Sequence, residues 1–245
     1  MKNIHSCTLI IAFFIMMSTG LVSCSSDNDT TNSENANTLS AKLITTLPGN
    51  YANPYDEVGW LYNELFDTYY TNANLGGSVS QIITKVQSIA DASSSFNSIK
   101  GSHYHNVSNT RVSYLLEHPT TCVNDVMSAS SMSTTGKSSL TNFINSFIIF
   151  LENENDCDVI YDKVVAYENG VLLNSSLTEN DKRIIFTTTS VARHSAYRAR
   201  KKPKKNTDPD WTVLIGNIIA STEGAEYGSA EAATMALVTG IAQND

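Results

Sequence analysis

The chain has none of the short motifs that announce a chemistry. There is no G-x-S-x-G elbow, no G-x-x-x-x-G-K phosphate loop, no G-x-G-x-x-G turn and no H-E-x-x-H pair. The usual signatures of serine hydrolases, nucleotide-binding enzymes and zinc peptidases are therefore missing, and no catalytic residue, metal ligand or cofactor is assigned from sequence. Strand patterning is missing as well. Apolar/polar alternation never persists beyond four residues, no Asn-Gly or Asp-Gly turn joins two β-rich runs, and no segment repeats. Bases are scarce, with 16 Lys+Arg against 24 Asp+Glu. An acidic chain lacks the positive field that phosphate contacts need, so nucleic acid is not an expected partner. Cysteine is scarce too, at four residues.

Two of those cysteines lie in an N-terminal leader pattern. Lys2 supplies a positive end, and Leu9 to Met17 is an uninterrupted apolar run. A secretory signal needs about 7–15 such residues, whereas a spanning helix needs about 20. Leu21-Val22-Ser23-Cys24 closes the segment and resembles the lipobox of bacterial lipoproteins. That resemblance implies diacylglyceryl transfer to the Cys24 thiol, cleavage before it, and acylation of the new amino group. Residues 1–23 are then a removed signal peptide, and the mature chain is held to a membrane, because two or more acyl chains anchor a protein stably. Ser25 at the following position resembles lipoproteins sorted to the outer membrane, on its periplasmic face or at the cell surface. Residues 24–49 hold little apolar material and form a flexible Ser/Asn/Asp-rich tether.

Cleavage removes Lys2 and no acid, so the mature chain has 15 bases against 24 acids, a net charge near −9. Cys122 and Cys157 are its remaining thiols, and in an oxidising compartment they either form a disulfide or stay as two buried apolar groups. Two cysteines 35 residues apart with no second pair do not make a zinc site.

Residues 50–245 read as one all-α domain of seven or eight helices. Asn53-Pro54 caps a helix with Tyr55, Val58, Tyr62, Leu65, Phe66 and Tyr69 on one face. Ile82 to Ala90 forms a second helix, residues 93–110 a loop, and Arg111 to Glu117 a short helix ended by Pro119. Leu140, Phe143, Ile144, Phe147, Ile148 and Leu151 mark a strongly apolar helix expected at the centre of the core, and Asp156 to Leu173 the next. Thr178 and Asp181 resemble a capping box that opens a helix with Ile184, Ile185, Thr188, Val191, Ala192 and Ser195 facing inward. Asp208-Pro209 starts another helix that carries Trp211, Leu214, Ile215, Ile218 and Ile219, and Ser229 to Ala242 forms the last.

Two features stand out on this framework. Arg193, Arg198, Arg200, Lys201, Lys202, Lys204 and Lys205 cluster with no acid among them, seven of the 15 mature bases. They are either a solvated helix end or a patch for anionic lipid, lipopolysaccharide phosphate or an acidic partner. Gly224, Gly228, Ala232, Ala236 and Gly240 place a small residue at every fourth position, a ridge suited to close helix contact inside the domain or to a membrane-active segment. His103, His105, Glu117 and His118 lack a spaced third metal ligand, and Asp56, Asn63 and Asp67 share one polar stripe where a carboxylate pair is sterically possible.

Asn53-Pro54-Tyr55-Asp56-x-x-Gly59 with Asn63, the stretch Val191-Ala192-Arg193-His194-Ser195-Ala196-Tyr197 and the small-residue C-terminus resemble a group of uncharacterised bacterial lipoproteins and secreted proteins. In that group an N-P-Y-D-x-x-G-x-x-H-N motif opens the domain, and Tyr62 stands here at its His position. The resemblance implies no activity. Taken together, the residues favour a non-enzymatic binding or interaction protein on the envelope. A hydrolase using Asp56, Asp67 or His103/His105 and a toxin-like membrane-active protein are the contrasting expectations.

Only a thiol accepts the thioether-linked lipid. Cys24→Ser is therefore expected to abolish palmitate labelling and to accumulate unprocessed precursor. Labelling and sorting of the variant like wild type would remove the lipoprotein reading.

Overall fold

A computed structural model describes residues 48–71, 77–200 and 215–244, without the Arg200 side chain. The expected signal peptide, Cys24, most of the tether, and Asp208-Pro209 with Trp211 and Leu214 lie outside the described residues. The fold is all-α, with ten helices and no strand among the described residues. They are α1 (Glu57–Thr71), α2 (Val79–Ala92), α3 (Ser94–Ile99), α4 (Asn109–Glu117), α5 (Cys122–Ala129), α6 (Thr134–Asn153), α7 (Cys157–Leu173), α8 (Glu179–Arg200), α9 (Ile215–Tyr227) and α10 (Ser229–Asn244).

Local capping sets most of these boundaries. Ser78 and Gln81 form a reciprocal capping box on α2, and Ser93, Ser108, Ser133 and Asp156 cap α3, α4, α6 and α7 with their side-chain oxygens. The Thr178/Asp181 pair behaves as a capping box with an aspartate at its third position. The Asp181 amide donates to Thr178 Oγ1 at 3.1 Å, and the Thr178 amide donates to Asp181 Oδ2 at 2.8 Å. The same carboxylate accepts from the Ser133 amide and hydroxyl at 2.7 Å, which ties the starts of α6 and α8 together.

The helix count exceeds the expected seven or eight because α3 and α5 went unread. Helix α3 lies in the Ser/Asn-rich stretch expected to be loop. Its anchor is Phe96, which is fully buried and whose amide is capped by Ser93.

The centre of the core is also elsewhere than expected. Helix α6 buries Leu140, Phe143, Ile144, Phe147 and Leu151 against α5, α8 and α9, yet Ile149 on its other side is 62% exposed. It is a flank of the domain. The centre is α10, buried on every side from Ala230 to Ile241 and packed among α1, α2, α4, α8 and α9. A helix enclosed all round carries little charge, Glu231 alone on α10, and needs small side chains where another backbone comes close. The Gly/Ala ridge meets that need, and its close contact is internal: a Cβ on Gly224 of α9 would lie 2.6 Å from the Ala232 Cα and the Glu231 carbonyl oxygen of α10.

Gly224→Ala therefore forces two backbones apart and is expected to lower unfolding free energy by about 1–3 kcal/mol. Gly170→Ala on α7 meets nothing within 4 Å and is expected to gain about 0.5–1 kcal/mol from helix propensity. Urea denaturation of the two variants measures both.

Candidate functional site

Helix α8 is polar in composition and still buried on all faces from Ile184 to Ala196, including Thr187, Thr188, Thr189, Ser190, Arg193, His194 and Ser195. Buried polar groups must find partners, and α8 finds them on the segment before α1, on α1 itself, on α7 and on α9. The Arg193 side chain is 1% exposed and donates from Nη2 to Asp56 Oδ1 at 2.6 Å and to Glu168 Oε1 at 3.3 Å. Its Nη1 donates to the Pro48 carbonyl.

Glu168 also accepts from Asn53 Nδ2 (2.7 Å), Asn50 Nδ2 (2.7 Å) and Thr189 Oγ1 (2.8 Å). Asn53 Nδ2 reaches the Phe186 carbonyl at 2.9 Å, while its Oδ1 accepts from the Tyr55 amide at 2.8 Å. Ser190 Oγ donates to the Asp56 carbonyl at 3.1 Å and accepts from the Gly59 amide at 3.0 Å. Gly59 is where α1 crosses α8. A Cβ there would stand 2.3 Å from His194 Cδ2 and 2.6 Å from Ser190 Oγ. Asn53, Asp56 and Gly59 of the Asn53-Pro54-Tyr55-Asp56-x-x-Gly59 stretch thus each have a partner or a steric reason in the seam between α1, α7 and α8, while Pro54 is exposed.

A second cluster continues one turn further. Arg198 holds Asp67 through two parallel bonds (Nη1 to Oδ1 2.8 Å, Nη2 to Oδ2 2.6 Å), donates from Nε to Asn63 Oδ1 at 2.5 Å, and lies over the Phe66 ring. With Asn63 Oδ1 taken, its Nδ2 donates to His194 Nδ1 at 2.7 Å. This assigns the imidazole proton to Nε2, which lies 3.8 Å from Asp56 Oδ1 and has no hydrogen-bond partner. Burial, together with the Arg193 and Arg198 charges and against the pull of Asp56, pushes the His194 pKa down to about 4. Burial opposes ionisation of Asp56, but the His194 contact and the Arg193 guanidinium outweigh it and hold its pKa below 3.8.

These contacts correct the basic-patch expectation. Arg193 is 2% and Arg198 7% exposed, and both are ion-paired inside the seam, so neither is available to an anionic surface. The Arg200 side chain and Lys201, Lys202, Lys204 and Lys205 lie outside the described residues. The polar stripe of α1 is split as well: Asp56 is committed to Arg193 and Asp67 to Arg198. No disulfide joins Cys122 and Cys157, and the buried Cys122 thiol contacts the Pro119 carbonyl at 3.6 Å. His103 is exposed, the His105 amide donates to Glu231 at 3.0 Å, and His118 stacks on Tyr114. Among the described residues no group of three or more His, Cys, Asp or Glu side chains could hold a metal ion.

Glu168 and Asn50 were not singled out from the sequence. Glu168 had a readable signal: it falls on the Ile160, Val164, Val171 stripe of α7, and an acid on an apolar stripe calls for a buried cation.

Outside the closed seam lies an open cleft of about 650 Å3 between α1, α3 and the end of α8. Glu57, Trp60, Glu64, Ser98, Ile99 and Tyr197 are on its walls. Trp60 is 42% exposed, and its Nε1 donates to Asp56 Oδ2 at 3.1 Å while its ring meets His194 edge-on at 4.8 Å. The seam therefore orients the aromatic wall of the cleft. A second hollow, of about 380 Å3, surrounds the Arg111–Glu223 pair, in which Arg111 Nε donates to both carboxylate oxygens at 2.7 Å. Comparison with protein-family models, curated proteins and solved structures finds no match.

His194 links stability to pH with a definite sign. Its pKa falls from 6.5 to about 4 on folding, so the unfolded chain binds the extra proton between those values. The contribution is complete above pH 6.5 and is lost as pH falls toward 4, about 3 kcal/mol in all. Asp56 adds a further loss at lower pH, because its folded pKa is depressed. Urea titrations from pH 7.5 to 4 are expected to show this slope in wild type and a flatter one in His194→Gln. Equal slopes would contradict the assignment.

Proposed function

We propose that this protein is a lipid-anchored envelope protein that binds a ligand in the cleft between α1, α3 and α8 and performs no chemistry on it. The supporting observation is the contrast between the two polar regions. Asp56, Glu168 and Arg193 are closed inside the seam and committed to one another, and His194, the fourth residue equipped for acid–base work, is fully buried beside them against Asn63. The open cleft beside them carries an exposed, oriented Trp60 with acids on the same helix face. A concave site with an aromatic wall and a few polar groups is the usual geometry of ligand binding.

Anchoring through acylated Cys24 in the outer membrane, on its periplasmic face or at the cell surface, belongs to the same proposal, and so does the kinship with N-P-Y-D-x-x-G lipoproteins. A basic contact with anionic lipid or an acidic partner is retained only for Arg200, Lys201, Lys202, Lys204 and Lys205. The enclosed position of α10 favours a structural role for the small-residue ridge over a membrane-active one. Among the described residues no helix is long and apolar enough to cross a membrane.

The small-molecule fraction of an envelope extract is expected to raise the thermal midpoint of the purified protein and to leave that of Trp60→Leu unshifted. Chromogenic ester, glycoside and peptide substrates are expected to show no turnover that Asp67→Asn removes. Turnover lost in that variant would favour the hydrolase reading instead.

A further inference from the structure

The chemistry of the cleft walls goes further and specifies a class of ligand. Glu57, Trp60 and Glu64 stand at i, i+3 and i+7 of α1, on one face of the helix. The two acids are two turns apart, about 10 Å along the axis, with the indole between them. Asp67 on the same face is neutralised by Arg198, whose Nε and Nη2 are also taken by Asn63. Neither Glu57 nor Glu64 is ion-paired among the described residues. The cleft therefore carries two uncompensated negative charges around an aromatic face.

The aromatic face is the second, independent element. Trp60 is a large apolar side chain left 42% exposed, and it is fixed at two points, by the Asp56 bond at 3.1 Å and by the T-shaped contact with His194. An indole whose orientation is already set loses little side-chain freedom on binding, and Trp offers the most favourable π-face for a cation. Ile99 supplies an apolar wall alongside. Carboxylates, an indole face and an aliphatic wall together suit a positively charged nitrogen on a short alkyl chain. An anion would meet two like charges, and a neutral polyol would leave both carboxylates without a counter-charge.

We infer that the α1/α3/α8 cleft binds a small alkylammonium ligand, its cationic nitrogen over the Trp60 ring and paired with Glu57 or Glu64. The spacing of the two acids favours a ligand with a cation at each end. This rests on reading the cleft as a ligand site, and the test separates the two claims. The full-length protein in non-ionic detergent is titrated calorimetrically with 1,5-diaminopentane, pentylamine and 1,5-pentanediol, which share a chain and differ in charge. Saturable 1:1 binding is expected for both amines, tighter for the diamine, weakened by added salt, and absent for the diol. Glu57→Gln, at an exposed position outside the seam, should weaken the amines about two- to fivefold, and Trp60→Leu about fivefold or more. If the diol binds as well as the amines, the cation assignment is overturned while the cleft stands as a site. If no amine saturates at millimolar concentration, or if binding survives both substitutions unchanged, the inference fails outright. An extract-driven thermal shift lost in Trp60→Leu would then still support the broader ligand-site reading.

Discussion

The structure turns on one guanidinium. Arg193 lies on a helix enclosed by five others, between Asp56 from the segment before α1 and Glu168 from α7. Taking an arginine and two carboxylates out of water is costly, and such a cluster is not by itself a source of stability. It becomes binding once formed, because deleting one member strands the others, at about 3–5 kcal/mol. What the cluster provides is location. Three segments far apart in sequence, at 48–56, 168 and 186–193, are brought into one register by bonds of defined direction. Apolar packing alone would tolerate sliding by a turn. The Gly59 crossing reinforces this, since only a hydrogen side chain fits against Ser190 and His194 there.

From that register follows the rest of the functional surface. With α1 pinned at Asp56 and Gly59, its next turn presents Asn63 to His194 and Arg198, and its outer face presents Glu57, Trp60 and Glu64 to the cleft. Asp56 belongs to both regions, one oxygen holding Arg193 and the other the Trp60 indole. The interior network and the open cleft are therefore mechanically joined through this carboxylate and through the contact of Trp60 with His194.

Much of the helical layout was legible because its signals are local. The Thr178/Asp181 box and the proline stop after His118 each depend on residues within one turn of one another, and each appears where expected. The small-residue ridge was legible as a demand for close contact, and Gly224 against Ala232 meets it. Large apolar side chains do not make a helix central: α6 buries five of them and still exposes Ile149 on its other side. A flank helix needs a broad apolar stripe, whereas the enclosed α10 is small or apolar on nearly every face and buries a single acid, Glu231.

Arg193 and Arg198 show where local reading stops. In a linear reading they belong to a run of bases from Arg193 to Lys205, and a base near a helix C-terminus is ordinarily solvated. Nothing within several residues of them predicts Asp56, Glu168 or Asp67, because those partners lie 137, 25 and 131 positions away. By itself the sequence determined the all-α class, most helix starts and stops, and the need for a tight small-residue contact, since all of these are set by neighbours along the chain. Only the tertiary structure decided which charges are buried, which helix is central and which face of α1 meets solvent. The charge state and exposure of a side chain depend on what packs against it from distant parts of the chain.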